Sequence, residues 1–299
     1  MTLAVFTTIY PGVESYLADW GSTLRQQTDA DFELWIALDS LDKKSVQQLL
    51  GCDMKANWVL ASHGSTPAEI RQQALEQIVE SCSEVVLVDS DDILHPSRVQ
   101  AARAALEEND LVGCALRLVD RDRNNLDEFF GLPSALTVDE VFPRNNIFGF
   151  SNSAFRCELL RRCLPIPGSA ILVDWFLATR AWLLGAKTSF DRAPRMDYRQ
   201  HPANTAWVRL PFCGERIVSD TALVRQHYRL LLAAPAEDYM EERHATLREL
   251  ARDVEEFHQR VVLNPAKLNE YVRDLNSLNP PLLWWTCVAY PVLKYLWRE

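Results

Sequence analysis

Residues 84–99, EVVLVDSDDILHPSRV, place three carboxylates, Asp89, Asp91 and Asp92, within four positions at the end of an apolar run. So much like charge in one turn is unfavourable unless the groups are solvated, hydrogen-bonded or facing a cation. A small hard cation such as Mg2+ or Mn2+ takes oxygen ligands, typically one or two carboxylates plus water and phosphate oxygens, and a short acidic turn can supply them. Asp174, in ILVDWFLATRAWLLG, stands where a helix should begin, beside Trp175 and Phe176. A carboxylate there is either a helix cap or, if desolvated, a general base. His201, in YRQHPANTA, can ligate a metal or contact an anion, with Arg199 competing for the second role. His63 and His95 have no comparable support.

The elements that must position these residues read as an α/β pattern. LAVFTTI, FELWIALD (ending at Asp39), NWVLAS, EVVLVD and DLVGCALRLVD are strand candidates. Between them run helix-like segments: one carrying Tyr16, Leu17, Trp20 and Leu24, one opened by Pro67 (PAEIRQQALEQIVESC), and one over residues 96–108. Strands alternating with helices imply a parallel sheet covered on its faces, with ligand sites beyond the carboxyl ends of the strands. Asp39, His63 and the Asp89–Asp92 group fall at such ends.

The second half is less regular. RNNIFGFSNSAFRCELLRRC reads as a loop entering a short helix, and KTSFDRAPRMDYRQHPANTA as a short hairpin followed by a loop. Beyond about residue 214 the chain reads as helical. Met240, Leu247, Leu250, Val254, Phe257 and Val261 share one face, for docking on the same chain or on a second copy. The last segment, NPPLLWWTCVAYPVLKYLWRE, is uncharged from Asn279 to Leu293, too short for the roughly 20 apolar residues that span a bilayer. Its tryptophans and tyrosines beside Lys294 and Arg298 suit either an interfacial anchor over residues 280–299 or packing on the protein body.

Composition narrows the class. The 299 residues are 48 % apolar, enough to bury a core, and 41 acidic against 31 basic residues give a net charge of −10. That is the wrong sign for a nucleic-acid binder, and no basic patch interleaved with aromatics is present. The seven scattered cysteines, Cys52, Cys82, Cys114, Cys157, Cys163, Cys213 and Cys287, show no zinc-site spacing and read mostly as small core residues in a reducing compartment. The start, MTLAVFTTIYPG, lacks the features of a secretory signal, so the expected location is cytoplasmic, at the inner face of the membrane if the tail is an anchor.

Over roughly residues 1–205 the chain resembles the family 2 glycosyltransferases of the GT-A fold, inverting enzymes that use nucleotide sugars. The likeness is carried by the opening strand, loop and helix ending in Gln27–Thr28; by FELWIALDS; by VVLVDSDDILHPSRV, similar to the metal-binding DxD segment; by VDWFLATRAW; and by YRQHPANTA. It departs at LDSLDKK and at IRQQ, where only Arg71 matches the usual Ala-Arg-Asn, and Val173 precedes Asp174 where an acidic residue is common.

The resemblance implies Asp91, Asp89 and His201 around Mn2+ or Mg2+. It implies Thr8, Asp39, Asp89, Arg71 and Arg199 along the donor, Asp92 supporting the turn or the sugar, and Asp174 as catalytic base. It also implies a GT-A domain over residues 1–210, with a nucleotide-binding half to about 118 and an acceptor half beyond, followed by a helical extension over 211–299. The expected activity is transfer of a sugar from a nucleoside-diphosphate donor to a glycan, lipid-linked or protein hydroxyl. A sugar nucleotidyltransferase is an alternative, although TTIYPGVESY lacks its Gly-rich basic loop; so is a nucleotide-sugar-binding scaffold without turnover. Oligomers are compatible with all three.

Overall fold

The computed structural model describes residues 2–51, 55–201, 204–205, 208 and 210–298. Its elements in chain order are β1 (Leu3–Ile9), α1 (Leu17–Arg25), β2 (Glu33–Leu38), α2 (Lys43–Leu49), β3 (Asn57–Leu60), α3 (Pro67–Ser81), β4 (Glu84–Leu87), β5 (Ile93–Leu94), α4 (Arg98–Leu106) and β6 (Leu111–Val119). There follow β7 (Asn125–Phe130), α5 (Val138–Val141), β8 (Ser153–Arg156), α6 (Cys157–Cys163), α7 (Val173–Leu183), β9 (Thr188–Arg199), α8 (Gly214–Ala233), α9 (Glu241–Phe257) and α10 (Pro265–Leu278).

The strands form one sheet in the order β3-β2-β1-β4-β8-β6-β9-β5, with β7 also paired to β6. The first four strands run parallel, and β1 is buried at all seven positions because helices cover both faces. α3 starts where the sequence signals it: Thr66 and Glu69 form a reciprocal capping box around Pro67. Its apolar positions Ile70, Ala74, Leu75, Ile78 and Val79 are buried, while Arg71 looks into a cleft above the strand ends. α7 is more extreme: every residue in it is buried except Asp174. A helix apolar on all sides is a core helix, so its one partly exposed position is set by the fold rather than by solvent preference.

Two expectations are corrected. KTSFDRAPRMDYR is not a hairpin but the single strand β9, parallel to β6 from Leu111↔Thr188 to Val119↔Arg199. The turn chemistry is real, since Asp191 accepts the Ala193 N–H at 2.9 Å. It makes a bulge at Pro194, where the register shifts opposite Cys114–Leu116, instead of reversing the chain. Within RNNIFGFSNSAFRC, Ser153–Arg156 is β8, wedged antiparallel between β4 and β6. Four residues are too few to announce a strand by periodicity.

In the C-terminal half, Leu247, Leu250, Val254 and Phe257 of α9 and the following Val261 are buried against the chain itself, α8 above all, so that this face is occupied by intrachain packing. Met240 is exposed. The tail folds back over the body. Trp284, Trp285 and Trp297 are 5 %, 6 % and 1 % exposed, Trp284 against Phe130 and Tyr198, and Trp297 against Phe257 and Tyr271. The three tryptophans that suggested an interfacial anchor are therefore used in the interior, while Val292 and Tyr295 are exposed.

Buried Asp253 of α9 clasps the tail, facing Lys294 at 3.0 Å, Arg298 at 2.5 Å and Arg144 at 3.7 Å. No helix among the described residues is long and apolar enough to cross a membrane. Cys82, Cys114, Cys157, Cys163 and Cys287 are buried and Cys213 is exposed, while Cys52 lies outside the described residues, as do Pro202, Ala203 and Ala206 of YRQHPANTA.

Candidate active site

A cleft of about 670 Å³ opens beyond the carboxyl ends of β1, β2 and β4. The three carboxylates of the acidic turn diverge there. Asp91 is 5 % exposed and lies at the cleft, its Oδ2 2.9 Å from His201 Nε2 and 3.4 Å from the Tyr10 hydroxyl, while the ring of Tyr16 packs on His201. Asp89 pairs with Arg71 at 3.5 Å and is touched by the Ser151 hydroxyl at 3.3 Å. Although 27 % of its side chain is exposed, it sits on a concave floor from which protein volume excludes most water. That desolvation, opposed by Arg71 and reinforced by Asp91 and Asp174, pushes its pKa up to about 7. Asp92 turns inward, accepting the Arg199 N–H at 2.8 Å and meeting the Ser151 hydroxyl; burial pushes its pKa well above the carboxylate range. It closes the turn and does not line the cleft.

Arg71 is held over the Phe150 ring at 4.3 Å, which leaves its charge at the cleft wall beside Asp89. Thr8, at the end of β1, and Asp39, just beyond β2, line the same cleft. The Thr8 hydroxyl is buried without a partner, and Asp39 accepts the neighbouring Ser40 hydroxyl at 2.9 Å. Arg199, expected along the donor, does not line the cleft. Its guanidinium is 1 % exposed, donates to the Asp91 and Arg121 carbonyls at 2.7 and 2.6 Å, pairs with Asp19 and covers Tyr16. Its charge is used in holding the acidic turn against β9.

Asp174 enters the cleft from the first turn of α7 and accepts a hydrogen bond from Asn146 Nδ2 at 3.0 Å. Burial raises its pKa, against the lowering pull of the Trp175 N–H, Arg71 and Asn146. Asn146 is fixed in turn: its Oδ1 accepts the Phe148 N–H at 2.9 Å. The remaining residues that shape this end, Ser151, Tyr198, Trp284 and Trp285, escaped sequence reasoning as site residues. The signal for Asn146 and Ser151 was available in NNIFGFSNS, where polar residues directly flank the apolar IFGF, since buried amides and hydroxyls must find partners. Trp284 and Trp285 also show that the cleft is not confined to residues 1–210.

Asp91 and His201 suit a divalent ion. Two donors 2.9 Å apart match neighbouring ligands on a small octahedral cation, which lie about 3.0 Å apart for bonds of about 2.1 Å. Among the described residues no cluster of three or more His, Cys, Asp or Glu side chains forms a complete metal cage. A two-ligand site completed by substrate oxygens and water is the usual manner of Mg2+ and Mn2+.

A mostly parallel sheet flanked by helices, with an acidic turn at the end of its fourth strand and a carboxylate on a facing helix, defines a GT-A fold. Solved structures of that fold resemble this chain. S. aureus TarS in complex with UDP-GlcNAc superposes with a TM-score of 0.60 at 18 % identity, over 86 % of this chain and 72 % of TarS residues 1–349. The mannosyltransferase PcManGT from Pyrobaculum calidifontis, in complex with GDP-Man and Mn2+, gives 0.59 at 14 % identity, over 94 % of this chain and 76 % of that one. No family model and no curated protein matches the sequence.

Proposed function

We propose that the protein is a metal-dependent, inverting glycosyltransferase that moves a sugar from a nucleoside diphosphate to a hydroxyl acceptor. The observation that carries this is the convergence on one cleft of Asp91, backed by His201 at 2.9 Å, the Arg71–Asp89 pair and the base candidate Asp174. Mn2+ or Mg2+ would be held by Asp91 and His201, with Asp89 nearby, and would supply Lewis-acid stabilisation of the departing diphosphate. Arg71 adds a permanent positive charge on the same side. Thr8 and Asp39 face the nucleoside, Asp39 accepting hydrogen bonds from base or ribose.

Asp174 accepts the proton of the acceptor hydroxyl as its oxygen bonds to the anomeric carbon. The bond from that carbon to the diphosphate breaks, and its electron pair leaves with the diphosphate. A carboxylate whose pKa is raised by burial is a stronger base than an exposed one, while Asn146 fixes the direction in which its Oδ2 points. Attack from the face opposite the leaving group inverts the anomeric centre.

The test is calorimetric titration of UDP, GDP and dTDP, with and without Mn2+, into the wild type and Asp91→Asn. One nucleotide should bind in the presence of Mn2+, with affinity reduced at least about tenfold in the variant. Absence of binding by every nucleotide in both conditions overturns the donor site.

A further inference from the structure

The residues on either side of Asp174 in space are both held by the C-terminal tail. Asn146, 1 % exposed, gives its side-chain amide to Asp174, while its backbone forms an antiparallel bridge with Trp284. The preceding Asn145 donates to the Trp284 carbonyl and the Thr286 hydroxyl at 3.5 Å each. On the other side, Trp175 follows Asp174 in α7, is fully buried, and stacks parallel to Trp285 with ring centroids 6.3 Å apart. Trp285 has φ +68°, a left-handed conformation that is a genuine outlier for a bulky side chain and persists only where its surroundings enforce it. Here they do: one neighbour's backbone is bridged to Asn146, the indole is stacked on Trp175, and the tail is fastened beyond by Asp253. Gly149 completes the seat, since any larger residue would meet the Trp284 ring.

We infer that Trp284 and Trp285 are positioning residues for the catalytic carboxylate: the tail acts on Asp174 through Asn146 and Trp175, fixing its orientation and excluding water from behind it. This rests on the reading of Asp174 as the base. A bare packing role for the tail would require burial of its rings but neither the bridge to the residue that hydrogen-bonds Asp174 nor a backbone held in the left-handed region to bring the second indole onto Trp175.

The test reads the carboxylate itself and needs no turnover. In protein carrying aspartate labelled with 13C at the carboxyl carbon, the Asp174 resonance, assigned with Asp174→Asn, is titrated in the wild type, Trp285→Leu and Trp285→Phe. Trp285→Leu should admit water and move the Asp174 midpoint down toward the ordinary aspartate value of about 3.9, while Trp285→Phe, which keeps an aromatic ring on Trp175, restores part of the difference. Asp253→Asn provides a second route should Trp285→Leu fail to fold. It loosens the tail from a position outside the cleft and should move the midpoint in the same direction. Binding of UDP or GDP with Mn2+ at the Asp89–Asp91 end should stay within about twofold in Asp253→Asn, whose changed residue lies outside the cleft. An Asp174 titration that is the same in every folded variant overturns the inference and leaves the nucleotide site standing. Failure of nucleotide binding in the wild type removes the transferase reading, while the titration still decides whether the tail governs Asp174.

Discussion

Replacing Gly149 with alanine tests the seat of the tail from the opposite side. Gly149 does not have positive φ, so alanine meets no backbone penalty there, and the whole effect must come from the added methyl. Its carbon would stand 2.5 Å from Trp284 Cζ3 and closer still to Cη2, where ordinary contacts begin at 3.4 Å. The indole must therefore retreat by about 1 Å, on a repulsive wall far steeper than the attraction between carbons. Its retreat is hindered by the rings packed on it, Phe130 at 3.9 Å and Tyr198 at 5.7 Å between centroids.

If the ring stays and strains its neighbours, overpacking costs about 1–3 kcal/mol. If it is expelled, the empty slot is comparable to a large-to-small change at a buried tryptophan, about 3–5 kcal/mol. Urea unfolding gives the total, and 5-fluorotryptophan NMR reports whether the Trp284 environment changes. Trp284→Leu in the Gly149→Ala background should relieve the clash, so the double variant is more stable than the sum of the two single changes predicts. A Gly149→Ala protein within about 0.5 kcal/mol of wild type, with the Trp284 resonance unmoved, would refute the packing on which the tail's role depends.

Asp174→Asn should lower transfer by about 10²- to 10⁴-fold with little change in nucleotide affinity, because only proton acceptance is removed. The wild-type rate should also fall, on acidification, through a pH above the ordinary aspartate range, since burial raises the Asp174 pKa; an acidic limb near pH 4 contradicts that. For stability the sign is opposite. The folded state holds this proton more tightly than the unfolded chain, so stability declines as pH rises past the unfolded pKa, and Asp174→Asn should raise the melting temperature at pH 8 but not at pH 3.

His227 is fully buried, stacked on Trp175 at 4.0 Å with neither ring nitrogen partnered, and its pKa is held down to about 3. Stability should then be lost as pH falls from about 6.5 toward 3, by up to about 1.4 kcal/mol per pH unit. His227→Phe should flatten that part of the profile in pH-dependent urea titrations, and an unchanged slope would show that His227 is protonated in the folded protein.

The parallel half of the fold was legible because its signals are local. β1, β2 and β4 are continuous apolar runs, and the Thr66–Glu69 capping box with Pro67 marks the start of α3 within the sequence itself. The acidic turn and Asp174 were found as chemistry-bearing residues, and the sheet and α7 bring them to one cleft. What could not be read depends on pairing between distant segments. β8 is four residues long and owes its existence to the gap between β4 and β6; β9 absorbs a proline through a bulge set by its partner strand. Arg199 has the charge expected of a diphosphate contact, yet the carbonyls of Asp91 and Arg121 capture it. The aromatic tail looked suited to an interface because its side chains are apolar with polar tips, and only the three-dimensional arrangement reveals that Phe130, Trp175 and Tyr271 offer those rings a drier place.

The position of the acidic turn in the sheet has one more consequence. The five residues between β4 and β5 leave a strand in the middle of the sheet and end in one that pairs with β9, at the far end of the strand order. The turn is thus a rivet joining the parallel half of the molecule to the half that carries β9 and His201, and its like charges push against the closure that the strands require. A divalent ion held between Asp91 and His201 would fasten one half to the other. Through simple mass action it would act as a thermal stabiliser, worth about 2.7 kcal/mol at a hundredfold excess over its dissociation constant. Resistance to unfolding and readiness for a nucleotide would then rise and fall together with the supply of one ion.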